Sequence, residues 1–380
     1  MAAVSNEVAG QLWLALGRVE GLGVRSAQKL VEQFGSPEAV YGASISALEA
    51  SGLARGVAQR IRARDGQQEA ERELEAAEKL GCQVIPFGSA EYPPLLKQIA
   101  DPPLVLYVRG DASLLARHSV AIVGTRRPSA YGSSVAHKLA SDLGQRQMVI
   151  VSGLARGIDS AAHRGALEAN GKTVAVFGCG VDVIYPRDNK RLAENILSSG
   201  ALVSEFPLGT SPQPENFPIR NRIISGLSLG VVIVEAAEYS GSLITARLAS
   251  EQDREVYAVP GNITSPQSFG PNLLIKQGAK LVDNWMDVVE EFPAEVRAQL
   301  IPAVSASSAG EAVTRSLFEP SLSGDQKAVY EALRPDKATF VDDVFTQAGL
   351  SQPRVLAALL ELEMGGFIRQ LPGKNFVRKL

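Results

Sequence analysis

Phe217-Pro218-Ile219-Arg220-Asn221-Arg222-Ile223-Ile224-Ser225-Gly226 sets two guanidiniums and an amide at the mouth of an expected helix. It runs into an apolar strand, Gly230-Val231-Val232-Ile233-Val234-Glu235, and then into Ser240-Gly241-Ser242-Leu243-Ile244-Thr245, a small polar loop that opens another helix. Helix N-termini carry free N–H groups that bind anions, and arginine adds a planar fork for phosphate oxygens. Helix, buried strand and polar loop in that order read as a phosphate-backbone site on a parallel α/β sheet.

From about Val84 to Pro293 the strand–loop–helix unit repeats. Strands are expected at 119–123, 148–151, 173–177, 201–204, 230–235 and 255–259. Each is a short, mostly apolar run suited to burial on both faces. Helices are expected over 133–146, 160–170, 187–198 and 242–252. This alternation predicts right-handed crossovers and a doubly wound parallel sheet within residues 81–295.

The flanks differ in composition. Residues 1–80 read as helical and polar. Within them the run from Leu14 to Leu30, with Gly21-Leu22-Gly23, resembles a helix-hairpin-helix, and a similar Gly52-Leu-Ala-Arg55-Gly56 turn follows. Those glycines either bring backbone amides to a phosphate or simply end helices in a small bundle. Residues 296–320, rich in Ser, Ala and Pro, read as a linker. Residues 321–380 read as a winged helix: helices near 323–333 and 340–348, a third from Ser351, then two short strands around Pro372-Gly373-Lys374. Its third helix carries Arg354 but also Glu361 and Glu363, so a protein-interaction role stands beside DNA binding.

The net charge is −3, so any nucleic-acid contact must come from a local cluster. Two cysteines, Cys82 and Cys179, lie far apart with no CxxC pair; a reducing cytoplasm is expected and a disulfide framework is not. No apolar run reaches the length of a membrane span. With three histidines and no HExxH, no metal site is expected.

In open parallel sheets ligands collect at the carboxyl ends of strands. There the sequence offers Gly124-Thr125-Arg126-Arg127, then Ser152-Gly153-Leu-Ala-Arg156-Gly157-Ile-Asp159, then Gly178-Cys-Gly180-Val-Asp182, then Glu235 and Ser240-Gly241-Ser242. Glycines permit close backbone approach to an anion, and hydroxyls add donors. All the cations are arginine, the fork that suits phosphodiester oxygens. Each arginine also has a plainer reading, as an internal ion pair with Asp159, Asp182, Glu205 or Glu235. Glu235 is expected to orient an arginine or a backbone turn. Phe217 either stacks on an unpaired base or staples the helix entrance.

Two patterns point elsewhere and fail. Gly171-Lys172-Thr173 mimics the end of a P-loop, but Ala166 stands where the first glycine belongs, and a strand follows it. Gly178-Cys-Gly180 lacks the third glycine of a dinucleotide fingerprint. No Ser/His/Asp or Cys/His arrangement is visible.

The motifs Tyr92-Pro-Pro-Leu-Leu96, Ala121-Ile-Val-Gly-Thr-Arg126, Val151 to Asp159, Phe217 to Gly226, Ser240 to Ala246 and Val259-Pro-Gly261 together resemble the DprA/Smf family of bacterial DNA-processing proteins. The resemblance spans most of residues 86–285. It implies an extended Rossmann-like fold flanked by a SAM-like or helix-hairpin-helix domain and a winged helix. It also implies single-stranded DNA binding without catalysis, self-association as a homodimer through the Rossmann-like domain, and delivery of the strand to RecA in natural transformation. No cofactor, catalytic residue or metal is implied. Carried over, the binding residues are Gly124, Thr125, Arg126, Arg127, Ser152, Gly153, Arg156, Phe217, Arg220, Asn221, Arg222, Ser240, Gly241 and Ser242. One departure is Pro214, where some members place a lysine; Arg127 and Lys276 are the replacements at hand.

The competing class is a Rossmann-like nucleotide phosphoribohydrolase or nucleosidase. Such enzymes resemble this chain in topology but place a Pro-Gly-Gly-x-Gly-Thr loop and a catalytic glutamate after the corresponding strand. Here Val234-Glu235-Ala-Ala-Glu238-Tyr-Ser240 occupies that place.

Overall fold

The structure, a computed structural model, describes residues 10–300, 322, 324–334, 338–365, 367–371 and 373–378. Nine strands form one sheet: β1 Cys82–Pro86, β2 Val105–Gly110, β3 Ser119–Val123, β4 Val149–Ser152, β5 Lys172–Val176, β6 Ala201–Ser204, β7 Gly230–Ile233, β8 Glu255–Ala258 and β9 Lys280–Leu281. Their order is β1-β2-β6-β5-β4-β3-β7-β8-β9. From β6 to β9 every pairing is parallel. β1 and β2 extend one edge in antiparallel fashion, which the sequence reading did not anticipate.

The central strands alternate between two cores. Ala121, Val123, Val149 and Val151 face one side, with Ile223, Ile224 and Leu227 of helix Asn216–Leu227 and Ala246 and Ala249 of helix Gly241–Glu251. Val120, Ile122, Met148 and Ile150 face the other, with Ala136, Leu139 and Leu143 of helix Ala130–Gln145 and Ile158 and Ala162 of helix Ile158–Glu168. Both faces are therefore covered, as a continuous apolar strand requires. Val296 and Leu300 of helix Ala294–Leu300 also enter this second core, so residues 296–300 are helix and core, not linker. The rest of the expected linker, 301–320, lies outside the described residues.

Chain direction around β3 decides where a ligand can sit. β4, β5 and β6 add on one side of it, β7, β8 and β9 on the other. Helices after β3 and β7 therefore leave on opposite faces, opening a crevice at their carboxyl ends.

The N-terminal helices Val24–Phe34, Pro37–Gly42, Ile45–Ala50, Arg55–Arg62 and Gln67–Lys79 pack against the β1–β2 side of the sheet. Trp13, Leu16, Leu30 and Ile61 share a core with Tyr107, Phe177 and Leu202. Glu73 accepts from the Tyr107 hydroxyl at 2.7 Å and from the Leu208 amide at 3.1 Å.

At the C-terminal end, helices Gly324–Ala332, Val341–Ala348 and Gln352–Met364 pack on a three-stranded antiparallel sheet of Thr339–Phe340, Asn375–Arg378 and Ile368–Leu371. This is a winged helix. Val329, Val344, Leu359 and Ile368 form its core. Arg354 forks onto Asp325, and Leu356 and Leu360 lie exposed one turn apart. The third helix thus shows an apolar and acidic face.

Candidate nucleic-acid interface

The crevice beside β3 and β7 holds a cleft of about 830 Å³. The loop after β3 supplies its first wall. Gly124 packs so tightly that a Cβ would lie 2.7 Å from the Ile158 side chain and 2.8 Å from the Glu235 carbonyl. Thr125 donates its amide to that carbonyl at 2.7 Å and accepts from Ile158 N at 3.2 Å. Its hydroxyl oxygen accepts from the Arg127 amide at 3.2 Å. The backbone is thereby pinned while both arginine side chains project into solvent. Among the described residues neither Arg126 nor Arg127 has a carboxylate partner.

Helix Asn216–Leu227 brings the second wall. The Phe217 ring rests on Gly178, where a Cβ would stand 2.9 Å away. It lies 5.6 Å from the Tyr185 ring at a tilt of 39°. The Arg126 guanidinium sits 5.8 Å from its centroid and that of Arg220 5.9 Å. Phe217 is half-buried, so part of the ring remains open to a ligand.

Arg220 lies beneath, almost fully buried, and donates to the carbonyls of Gly153 (2.9 Å) and Val176. Burial lowers its pKa to about 10, with Asp159 acting in the opposite sense. Asp159 is buried beside it; desolvation raises its pKa, and Arg220 pulls it back. Arg220, held by backbone carbonyls, and Asp159, held by the Gly153 and Ala155 amides, thus form a buried floor beneath the exposed guanidiniums.

The third wall is the start of helix Gly241–Glu251. The Ser240 hydroxyl oxygen accepts from the Ser242 amide at 3.4 Å, and the two hydroxyls are 2.8 Å apart. Gly241 is exposed with open space around it. Asn221 reaches across with its Nδ2 3.4 Å from the Gly241 carbonyl. Arg127 lines this cleft together with Pro214, whereas Lys276 does not.

Four expected site residues do not reach the cleft. Arg222 forks onto Glu205 at 2.6 and 2.7 Å and meets Asp101 at 3.1 Å; it is the internal ion pair, not a phosphate contact. Burial opposes its charge, but those two carboxylates outweigh it and raise its pKa. Ser152 is buried and donates to the Ile122 carbonyl at 2.7 Å. Gly153 donates its amide to Asp159 at 3.1 Å, so that N–H is already used. Arg156 points to the other side of its loop and pairs with Asp188 at 2.6 Å.

Sequence reasoning missed three aromatic residues on the cleft: Tyr185, Tyr239 and Phe269. Tyr239 is 93% exposed, an unusual state for so large a ring. Its position next to Ser240 was the available signal; Tyr185 and Phe269 are brought in only by the fold.

Glu235 is 3% exposed and accepts from the Ser129 amide at 2.8 Å and the Ser129 hydroxyl at 2.5 Å. Both carboxylate oxygens are occupied in tethering the start of helix Ala130–Gln145. Orientation of a turn, one of the two roles expected for it, is what it performs. The nucleosidase alternative, which needs this glutamate free, is not favoured.

Comparison with known proteins agrees with this geometry. Residues 83–293 match the family described as DNA recombination-mediator protein A. The chain belongs to that family. Residues 315–374 match the DprA winged helix domain. Protein Smf of Escherichia coli is 44% identical over 298 residues, covering 78% of this chain and 77% of that one. Protein Smf of Synechocystis is 33% identical over 393 residues, covering 97% and 98%. The solved structure of DNA processing protein A from Streptococcus pneumoniae superposes with a TM-score of 0.62 at 36% identity, covering 74% of this chain and 96% of that one.

Proposed function

We propose that this member of the family binds single-stranded DNA in the cleft between β3 and β7. Phosphate groups rest on Arg126 and Arg127, helped by the exposed helix N-terminus at Gly241. An unpaired base stacks on Phe217. The observation that carries this reading is two exposed guanidiniums without acid partners beside a half-open aromatic ring. A duplex hides base faces inside its stack, so a single strand is preferred.

The protein acts as a binder, not an enzyme, and hands the protected strand to RecA in the cytoplasm during natural transformation. Domain limits of 1–80, 81–300 and 321–380 go with this reading. Self-association uses the Rossmann-like domain; the exposed Ile263, Leu273 and Leu281, all in the segment from β8 to β9, offer an apolar surface for it.

Competition between a labelled single-stranded oligonucleotide and unlabelled duplex of the same sequence tests the binding. The single strand is expected to compete well and the duplex poorly. Equal competition, or release of free base from nucleoside monophosphates, contradicts the reading.

A further inference from the structure

Arg156, excluded from the first cleft, borders another. A second cleft of about 710 Å³ opens beside helices Ala130–Gln145 and Ile158–Glu168. Ala155 lines the first cleft and Arg156 the second. Consecutive Cα atoms are about 3.8 Å apart, so the two clefts flank the same loop, Gly153–Gly157. A strand leaving the first cleft reaches the second by passing over that loop.

The second cleft is suited to an extended polyanion. Arg164 is exposed and has no ion pair among the described residues. Lys138, paired with Asp142 at 3.1 Å, and exposed Arg369 also line it, and Ser133 and Ser134 add half-exposed hydroxyls. Two carboxylates also line it. Glu168 is engaged by His137 at 2.7 Å, and Asp188 by Arg156 at 2.6 Å. Both acids are exposed, and exposed pairs hold weakly, so a phosphodiester can displace Asp188 from Arg156. Guanidinium binds phosphate through the same fork that it offers a carboxylate.

We propose that this cleft is the next subsite for the same DNA strand, with Arg156 and Arg164 each taking a phosphodiester and Asp188 serving as the competing anion. The inference rests on the first cleft binding single-stranded DNA. The shared path would make affinity grow with oligonucleotide length beyond what the first cleft can hold.

The test titrates the full chain with thymidine oligonucleotides of increasing length at two salt concentrations. Four proteins are compared: the natural chain, Arg126→Ala, the double variant Arg156→Ala/Arg164→Ala, and Asp188→Asn. The double variant should bind the shortest oligonucleotides like the natural chain and lose the gain seen with longer ones. Its salt dependence on long strands should be shallower by about 1.4 logarithmic units per logarithmic unit of salt, two single-strand contacts at about 0.7 each. Asp188→Asn should tighten long strands, an opposite sign that loss of folding cannot mimic. A double variant matching the natural chain at every length overturns the proposal, as does equal loss at all lengths. Unaltered DNA binding would leave an acidic protein segment as the occupant instead. If the natural chain binds no length and Arg126→Ala changes nothing, the failure belongs to the first cleft.

Discussion

The Arg126 guanidinium sits 5.8 Å from the centroid of the Phe217 ring, although the two residues leave the sheet on different loops. A charge for the backbone and a face for a base thus stand side by side. Their contributions separate experimentally. Phe217→Ala should weaken single-strand binding by about 1–3 kcal/mol and leave the salt slope unchanged. Arg126→Ala should flatten that slope by about 0.7. Equilibrium titrations at several salt concentrations distinguish the two.

Arg222→Ala is expected to act on folding. It leaves Glu205, whose side chain is 14% exposed, without its bidentate partner. Removing one member of such a pair costs about 3–5 kcal/mol. Urea unfolding should show this loss, while the folded fraction binds DNA with the natural salt slope. A stable variant with weakened DNA binding would return Arg222 to the site.

Gly153→Ala should damage the floor of the cleft. Its Cβ would lie 2.5 Å from the Arg220 guanidinium, which is held by two carbonyls and cannot retreat. Overpacking of this kind costs about 1–3 kcal/mol. The thermal midpoint should fall, whereas a variant as stable as the natural chain would show that Arg220 is free to move.

His163 makes the fold sensitive to acid. Thr173 donates its hydroxyl to Ile150, so its oxygen accepts from His163 Nδ1–H; Nε2 is then bare and buried with no partner. Burial lowers the pKa from 6.5 to about 3, with Arg220 and Arg164 adding to the effect. Below about pH 6.5 the unfolded chain takes up a proton that the folded chain refuses, and stability falls as pH drops toward about 3. Between pH 7 and pH 5 this amounts to about 2 kcal/mol. Asp159, with its raised pKa, works in the opposite direction. The difference between the natural chain and His163→Gln isolates the histidine: urea unfolding of the variant should lose that much less stability on acidification.

The parallel strands β3 to β7 could be read from sequence because each is a mostly apolar run buried on both faces, and β8 because Tyr257 and Ala258 continue that signature. β1 escaped because exposed Gln83 and terminal Pro86 break that signature, and its partner β2 joins by an antiparallel return. Arg126, Arg127 and Ser240 were legible because strand ends locate them, and Phe217 because it opens the helix that carries Arg220 and Arg222. Arg222 was not, and helix geometry says why. Residues two apart on a helix point roughly 200° apart, so Arg220 and Arg222 cannot serve the same cleft. Neighbouring residues of one loop likewise face different ways: Ala155 lines one cleft and Arg156 the other.

Removing both exposed cations of the β3 loop bears most directly on single-strand capture. The salt dependence of oligonucleotide affinity should be compared for the natural chain and Arg126→Ala/Arg127→Ala. A slope shallower by about 1.4, with an unchanged thermal midpoint, is the predicted result. An identical slope and affinity in the double variant would contradict it.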